Sequence, residues 1–531
     1  MSQNKIKDKI TKAMKDALRQ AFSLEEEKIP LERPKDDKFG EYACTISLSL
    51  SKRLKKNPRE IGEKILEKFT VFPEIETPQI AGPGFINFKL SNVFWNSLLD
   101  EILESGNKYG RGEAKKKKIN IEFISCNPTG PMTIANGRGG FAGDALASLL
   151  AFLGYTVERE FYVNDTGNQV LTLGKSALAI RGKIKREDDF YRGQYLEELE
   201  KKIPQEEDPA LLGKKIADEI MKTHIKDSII KMQISFDNFF SERKMRQAGK
   251  IEKMLEFLEK NSLTYEKENA LFMKTSTFGD DKDRVLRKSN GEFTYFASDI
   301  TYHLDKFSRS DNLINIWGAD HHGYIGRILA FASSIEREKD ISFLIMQLVR
   351  LVSEGKEVKM SKRTGSFIEM KDLIDEVGHD SARWFFLEKA ANTHLDFDFD
   401  LAKDRSEKNP AYYVKYAHAR LCGILRKLSE EESHETSESY RSDFSQVEIS
   451  LLRELEKFPS TLEEIGHSLE IHKICFLARS LAEKFHSFYA KCPVLKASLE
   501  ERERRERMLR ASKIVLASIL EIIGIEAPER M

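Results

Sequence analysis

The stretch "INIEFISCNPTGPMTIANGRGGFAGDALASLLAFLGYTVEREFYVND", Ile119 to Asp165, decides the fold. "INIEFIS" is a short apolar run of the length of a buried strand. A turn rich in Gly and Pro follows. Then Phe141, Ala145, Leu146, Leu149, Leu150 and Leu153 fall at helical spacing, with Gly154 as a C-terminal cap. "YTVEREFYVND" predicts a second strand. Strand, glycine turn, helix, strand is the opening βαβ unit of a doubly wound parallel sheet. A glycine turn at a helix N-terminus offers backbone N–H groups and the positive helix end to an anion. Gly137, Gly139 and Gly140 predict close approach of a nucleotide to the backbone. The turn lacks the GxxxxGK[ST] pattern of a P-loop. Taken alone, a purely structural turn explains these glycines equally well.

Outward from this unit, the chain divides into several domains. Its 531 residues exceed what one compact core accommodates. Lys and Arg number 86, as do Asp and Glu, so the formal net charge is zero. That balance excludes a bulk polycation coating nucleic acid but not a local basic surface. No apolar run reaches the roughly 18 residues of a membrane span. The first 22 residues carry Ile6, Ile10, Met14, Leu18 and Phe22 every four positions, which predicts an amphipathic helix rather than a signal peptide. Cys44, Cys126, Cys422, Cys475 and Cys492 are scattered, which argues against disulfides and zinc and for a reducing cytoplasm.

The expected organisation is three domains. An N-terminal α/β unit covers 1–112, with "AGPGFINFKLS" as a turn and alternating strand. A Rossmann-like α/β unit covers 113–398, with a charged helical insertion at about 172–290. Strand-like runs return at "FTYFASD" and "NLINIWGADHH". An all-helical unit covers 399–531, and its acidic stretch "LSEEESHETSESYRSD" predicts a loop or mobile connection.

A second chemical motif is "EGKEVKMSKRTGSF", Glu354 to Phe367. Lys356, Lys359, Lys362 and Arg363 fall close together among Ser361, Thr364 and two glycines. A basic loop of this kind can close over a triphosphate and neutralise developing charge. A solvated lysine-rich turn is the alternative, and the string "KMSKRTG" favours the first.

"KMSK" resembles the second signature of class I aminoacyl-tRNA synthetases. Further strings narrow the resemblance: "NPTGP", "GRGG" followed by "GD", "YVNDTGNQ", "TYFASDITYHLDKF", "WGADHHGYIGR", "NPAYYVKYAHAR" and the terminal "GIEAPERM". With "GEYA" and "AGPGFINF" in the N-terminal unit, they run in order through most of the chain and resemble arginyl-tRNA synthetases. The implied fold is a class I catalytic domain between an N-terminal α/β domain and an all-α anticodon-binding domain. The implied reaction is activation of L-arginine by ATP and transfer to tRNA(Arg).

The resemblance implies roles. Lys359 and Lys362, with Thr133 and Asn136, would be catalytic. Pro128, Gly137, Gly139, Met360 and Ser361 would join them in binding ATP. Glu122, Ser125, Asn127, Tyr295, Asp299 and His321 would hold arginine, Tyr295 and Asp299 at its guanidinium end. Tyr412, Tyr416, Arg420 and the terminal Met531 would contact tRNA, and the N-terminal unit the tRNA elbow. Magnesium would arrive with ATP, with no bound metal or organic cofactor. A monomer in the cytoplasm is expected, with neither DNA nor membrane as partner. One departure stands out: where the family's first signature carries two histidines, this chain has Thr133 and Asn136. A hydroxyl and an amide still donate hydrogen bonds but carry no imidazolium charge. This departure is compatible with an active site built on coadapted neutral donors and with a non-catalytic tRNA-binding relative. A cysteinyl enzyme is disfavoured by the lack of clustered cysteines. A small-molecule nucleotidyltransferase is disfavoured by the long helical C-terminal region.

Overall fold

The computed structural model describes residues 3–26, 28–203, 206–358, 368–430 and 443–531. Helix α1 (Gln3–Phe22) fully buries Ile6, Ile10, Met14 and Leu18, as its four-residue spacing requires. Strands β1 (Leu31–Glu32), β2 (Tyr42–Cys44), β3 (Gln79–Ala81) and β4 (Phe85–Phe88) form an antiparallel sheet in the order β1-β2-β4-β3. Helices α2 (Ile46–Leu54) and α3 (Pro58–Lys68) pack on it, and α4 (Asn92–Ser105) leads away.

The predicted βαβ unit follows as β5 (Lys118–Glu122), α5 (Ile134–Phe152) and β6 (Thr156–Val163). Gly154, with φ +88°, turns the chain after α5. Next come α6 (Asn168–Ile180), α7 (Gln194–Lys202), α8 (Pro209–Ile220), a π-helical turn at Met221–Ile225 and α9 (Lys226–Lys231). The expected helical insertion is helical in large part but not throughout. β7 (Asn238–Ser241) joins the main sheet, then α10 (Glu242–Gln247) and α11 (Lys250–Lys260) precede an antiparallel meander. The meander comprises β8 (Thr264–Lys267), β9 (Ala270–Met273) and β10 (Arg284–Arg287).

"FTYFASD" is not a strand. It opens helix α12 (Tyr295–Arg309), where the Thr294 hydroxyl accepts the Ala297 N–H at 3.3 Å. The helix wins because Phe296, Ala297, Ile300 and Phe307 all bury. β11 (Asn312–Gly318) is the predicted strand of "NLINIWG", and α13 (Ile325–Ser334) leads to β12 (Ile341–Met346). The five-stranded sheet is parallel throughout, in the order β12-β11-β5-β6-β7. β5 leads to β6 on one side and has β11 on the other. The C-terminal ends of β5 and β11 therefore flank a topological switch point, where such sheets bind ligands.

β13 (Val349–Ser353) pairs with β14 (Lys356–Glu357) and with β15 (Leu395–Asp398). Helices α14 (Met370–Val377), α15 (His379–Leu387) and α16 (Phe399–Lys403) surround this small sheet. The C-terminal region is helical, as expected: α17 (Pro410–Glu430), α18 (Gln446–Ser468), α19 (Lys473–Lys491) and α20 (Leu499–Ile523). Residues 431–442 of the acidic stretch lie outside the described residues.

Buried ion pairs join the regions. Glu41 binds Arg453 at 2.6 Å, and Glu456 accepts from Tyr42 at 2.7 Å and from Arg33. These tie the first sheet to α18. Arg383 on α15 pairs with Asp144 on α5 and donates to the Ile523 carbonyl at the end of α20.

Candidate active site

The first signature sits where the fold predicts it, at the C-terminal end of β5. Ile124 and Ser125 both adopt left-handed backbone conformations, φ +64° and +42°. For the β-branched Ile124 that is an outlier, and it turns the chain sharply off the strand. The turn fixes Ser125, whose hydroxyl donates to Glu122 Oε1 at 3.0 Å and accepts the Tyr162 N–H at 3.1 Å. Asn127 and Pro128 follow directly.

Glu122 is buried and sits in register between Asn315 of β11 and Glu160 of β6. Its Oε2 accepts from Lys306 Nζ at 2.7 Å. Lys306 is completely buried, also donates to Asn315 Oδ1 at 2.5 Å and lies over the Tyr302 ring. His303 continues the chain: Asn315 meets its Nε2 at 3.4 Å, and its Nδ1 faces the Asp299 carbonyl at 2.8 Å. Burial, helped by the Lys306 charge, holds His303 well below its ordinary value, so the ring is neutral. Neutral Nδ1–H then donates to that carbonyl. A continuous polar chain thus runs from Glu122 to the backbone of Asp299.

Asp299 and Tyr295 are four residues apart on α12 and share a face. Tyr295 is 58% exposed. Burial pushes the Asp299 carboxyl up to about 7, reinforced by the Glu242 and Glu122 carboxylates and opposed by Arg327 and Lys306. No ion pair neutralises Asp299 among the described residues. Glu242, buried at the start of α10 and bonded to Arg246 at 2.7 and 2.9 Å, completes an acidic pocket that invites a cation. His321 lies just past β11, exposed and beside Trp317 and Tyr324.

Thr133 and Asn136 pair with each other. Asn136 Oδ1 accepts the Thr133 N–H at 3.0 Å and lies 3.3 Å from the Thr133 hydroxyl, which donates to it. Thr133 is buried, with its hydroxyl turned to Asn136. The pair caps α5 and leaves the Asn136 Nδ2 donors for another partner. Thr133 also bridges Glu369, and the Met370 N–H donates to the Met132 carbonyl at 2.8 Å. Residues immediately after the lysine motif are therefore fastened to the N-terminus of α5. Lys359, Met360, Ser361 and Lys362 lie outside the described residues.

The glycines of the turn mostly face protein. A Cβ on Gly137 would come within 2.5 Å of Met370 Sδ, and one on Gly140 within 2.7 Å of Met232. Gly139 has room, with Ile316 3.8 Å away. Arg138 between them is almost fully buried and donates to the carbonyls of Gln347 at 2.9 Å and Ala390 at 2.7 Å. Burial alone lowers this guanidinium to about 10. It ties α5 to the turn that enters β13.

Of the RNA candidates, Tyr412, Tyr416 and Arg420 lie on α17, and Met531 follows α20. Tyr412 and Met531 line one cleft of about 940 Å³ together with Lys415, Asp380 and Glu526. Tyr416 is 40% exposed, stacked on His486, with Arg420 near its ring. Neither tyrosine is core. Sequence reasoning missed Glu242, Lys306 and Arg138, because only tertiary packing reveals that these charged side chains turn inward.

Comparison with known proteins accounts for this arrangement. The class I (R) tRNA synthetase catalytic domain model matches residues 98–400. An arginyl tRNA synthetase N terminal domain model matches residues 4–90, and a DALR anticodon binding domain model matches 414–531. An arginine–tRNA ligase of Oleidesulfovibrio alaskensis is 39% identical, covering 95% of this chain and 96% of its own. One from Bacillus subtilis is 38% identical, with 99% of each chain covered. The structure of Thermus thermophilus arginyl-tRNA synthetase shares the fold, with a TM-score of 0.77 over 99% of this chain and 100% of that one at 20% identity. The chain belongs to the arginyl-tRNA synthetase family.

Proposed function

We propose that the cleft above the C-terminal ends of β5 and β11 activates L-arginine with ATP and passes the arginyl group to the 3′ end of tRNA(Arg). The attachment of Glu369 and Met370 to the N-terminus of α5 carries this reading, because it joins the chain that follows the lysine motif to the helix end that carries the first signature. The arginine carboxylate attacks the α-phosphate, a phosphate–oxygen bond breaks, and pyrophosphate leaves. Such a step needs positioning and charge stabilisation more than covalent help.

The residues divide the work. Asp299, with Tyr295 on the same face and Glu242 close by, receives the guanidinium. Glu122, held by Lys306 and Ser125, accepts the α-ammonium, with Asn127 and His321 at the amino acid's backbone end. Pro128, Gly137 and Gly139 border the nucleotide, and Asn136, oriented by Thr133, donates to it. Lys359 and Lys362 neutralise the pyrophosphate, with Met360 and Ser361 beside them. Magnesium enters as the ATP complex. Tyr412, Tyr416, Arg420 and Met531 stack on or contact anticodon-loop nucleotides.

The working units are an N-terminal tRNA-contacting domain over 1–112, a catalytic domain over 113–398 and an anticodon-binding domain over 399–531. No helix among the described residues is long and apolar enough to cross a membrane. A monomer acting in the cytoplasm, with no DNA partner, fits this reading. Pyrophosphate exchange into ATP tests it. Arginine-dependent exchange in the presence of tRNA(Arg) is expected. No exchange even with tRNA would overturn the catalytic reading, and exchange driven by another amino acid would overturn the choice of arginine.

A further inference from the structure

The helices between β6 and β7 take no part in the roles above, yet they reach the first signature. α6 and α8 cross so closely that a Cβ on Gly174 or Gly213 would overlap the backbone of the other helix. Such backbone contact makes a stiff platform. α7 rests on it through buried Leu196 and Leu199, and Arg181 of the platform pairs with Glu200. From the first turn of α7, Tyr195 extends over the turn "NPTGP". Its hydroxyl donates to the Thr129 carbonyl at 2.7 Å. Its ring covers Gly130, where a Cβ would sit 3.2 Å from the phenol oxygen. Tyr191 lies beside the Thr129 side chain, and its N–H donates to Ser176 on α6 at 2.9 Å. The ring of His224, in the π-helical turn, packs edge-on against Tyr195. Tyr195 thus holds Thr129 by its carbonyl, two residues from Asn127 and one from Pro128.

We infer that this helical platform sets the conformation of the reactive turn, and that Tyr195 is a positioning residue for adenylate formation. The inference rests on the proposed function for the meaning of the turn. A Gly–Pro turn has several accessible conformations. The turn leaves the strand through two left-handed residues, so its lower end is fixed. Its upper end is fixed by the phenol. A small displacement of Asn127 and Pro128 lowers the rate of a reaction that depends on alignment.

Y195F tests this, because it keeps the ring and removes one hydrogen bond. Expected is a fall of about 5- to 20-fold in kcat for arginine-dependent exchange, the scale of one lost hydrogen bond at a site sensitive to alignment. The KM for tRNA and the Tm stay at the parental values. Amide hydrogen exchange at Thr129, Gly130 and Met132 speeds up. G130A gives the same kinetic defect, and the double variant is less than additive. Parental kcat in Y195F overturns the inference. So does a lower Tm with unchanged kcat, which marks a structural role, or a rise in the tRNA KM alone, which marks a tRNA contact. Hydrogen exchange reads the turn without reference to activity. An unsubstituted chain with no exchange activity but Y195F-sensitive amides defeats the proposed reaction and leaves the positioning contact standing.

Discussion

Asp299 carries a carboxyl raised to about 7, above the roughly 4 of an unfolded chain. In the unliganded protein, the stability contributed by the neutral carboxyl is full below about pH 4 and is lost as pH rises through about 7. Under the proposed assignment, arginine reverses this preference, because a guanidinium against Asp299 favours the ionised form. Arginine affinity should therefore fall as pH drops through about 7, approaching tenfold per unit, with proton release on binding. Titration calorimetry in buffers of different ionisation enthalpy measures this, and D299N should bind weakly with a flat profile. Lys306 offers a second test. K306M leaves Glu122 buried without its cation, a change that costs about 3–5 kcal/mol in other proteins. The expected outcome is a loss on the order of 10²-fold in kcat/KM for arginine; E122Q/K306M should recover part of the lost stability but not the activity. At the first signature, T133H/N136H should not raise exchange and should lose about 1 kcal/mol of stability with the cap. A faster double variant would show that the neutral pair limits the enzyme.

Helix α5 shows how sequence and contact divide the information. Its apolar spacing was legible, and so were the strands on either side, because buried βαβ units write their periodicity locally. The purpose of its glycines was not. Gly143 faces the Phe123 ring so closely that a Cβ would overlap it. The sequence gives up helix propensity there to bring helix and strand together. G143A should therefore destabilise by about 1–3 kcal/mol instead of stabilising, as denaturant unfolding would reveal. Helix α12 misled in the opposite direction. Phe293, Tyr295 and Ala297 alternate like a strand, while the Thr294 cap and the Phe296–Ile300 spacing signal a helix. The candidate residues on it were found through resemblance of the string. Spacing alone gave no means of seeing that Asp299 and Glu242, 57 positions apart, share one pocket. The pairing of Thr133 with Asn136 was within reach of capping rules, since three residues separate a threonine from a side-chain acceptor.

Across the whole molecule, polar seams join regions that the sequence separates. The Arg383–Asp144 pair connects α15 to the signature helix, and Arg383 also holds the carbonyl at the end of α20. R383M should lower stability by about 3–5 kcal/mol, the cost of an orphaned buried carboxylate, with a single cooperative transition at a lower denaturant midpoint. Two transitions would show that the helical region unfolds by itself. The buried row Glu160–Glu122–Asn315 has a consequence of another kind. Parallel strands are joined by long crossovers, so no tight turn dictates which residue faces which. A slip of β5 by one position would place Ile121 or Phe123 where Lys306 meets Glu122, and would push Glu122 into the apolar contact with α5. The polar row therefore works as a key to strand alignment, admitting one pairing during folding while also setting the Glu122 carboxylate at the end of β5.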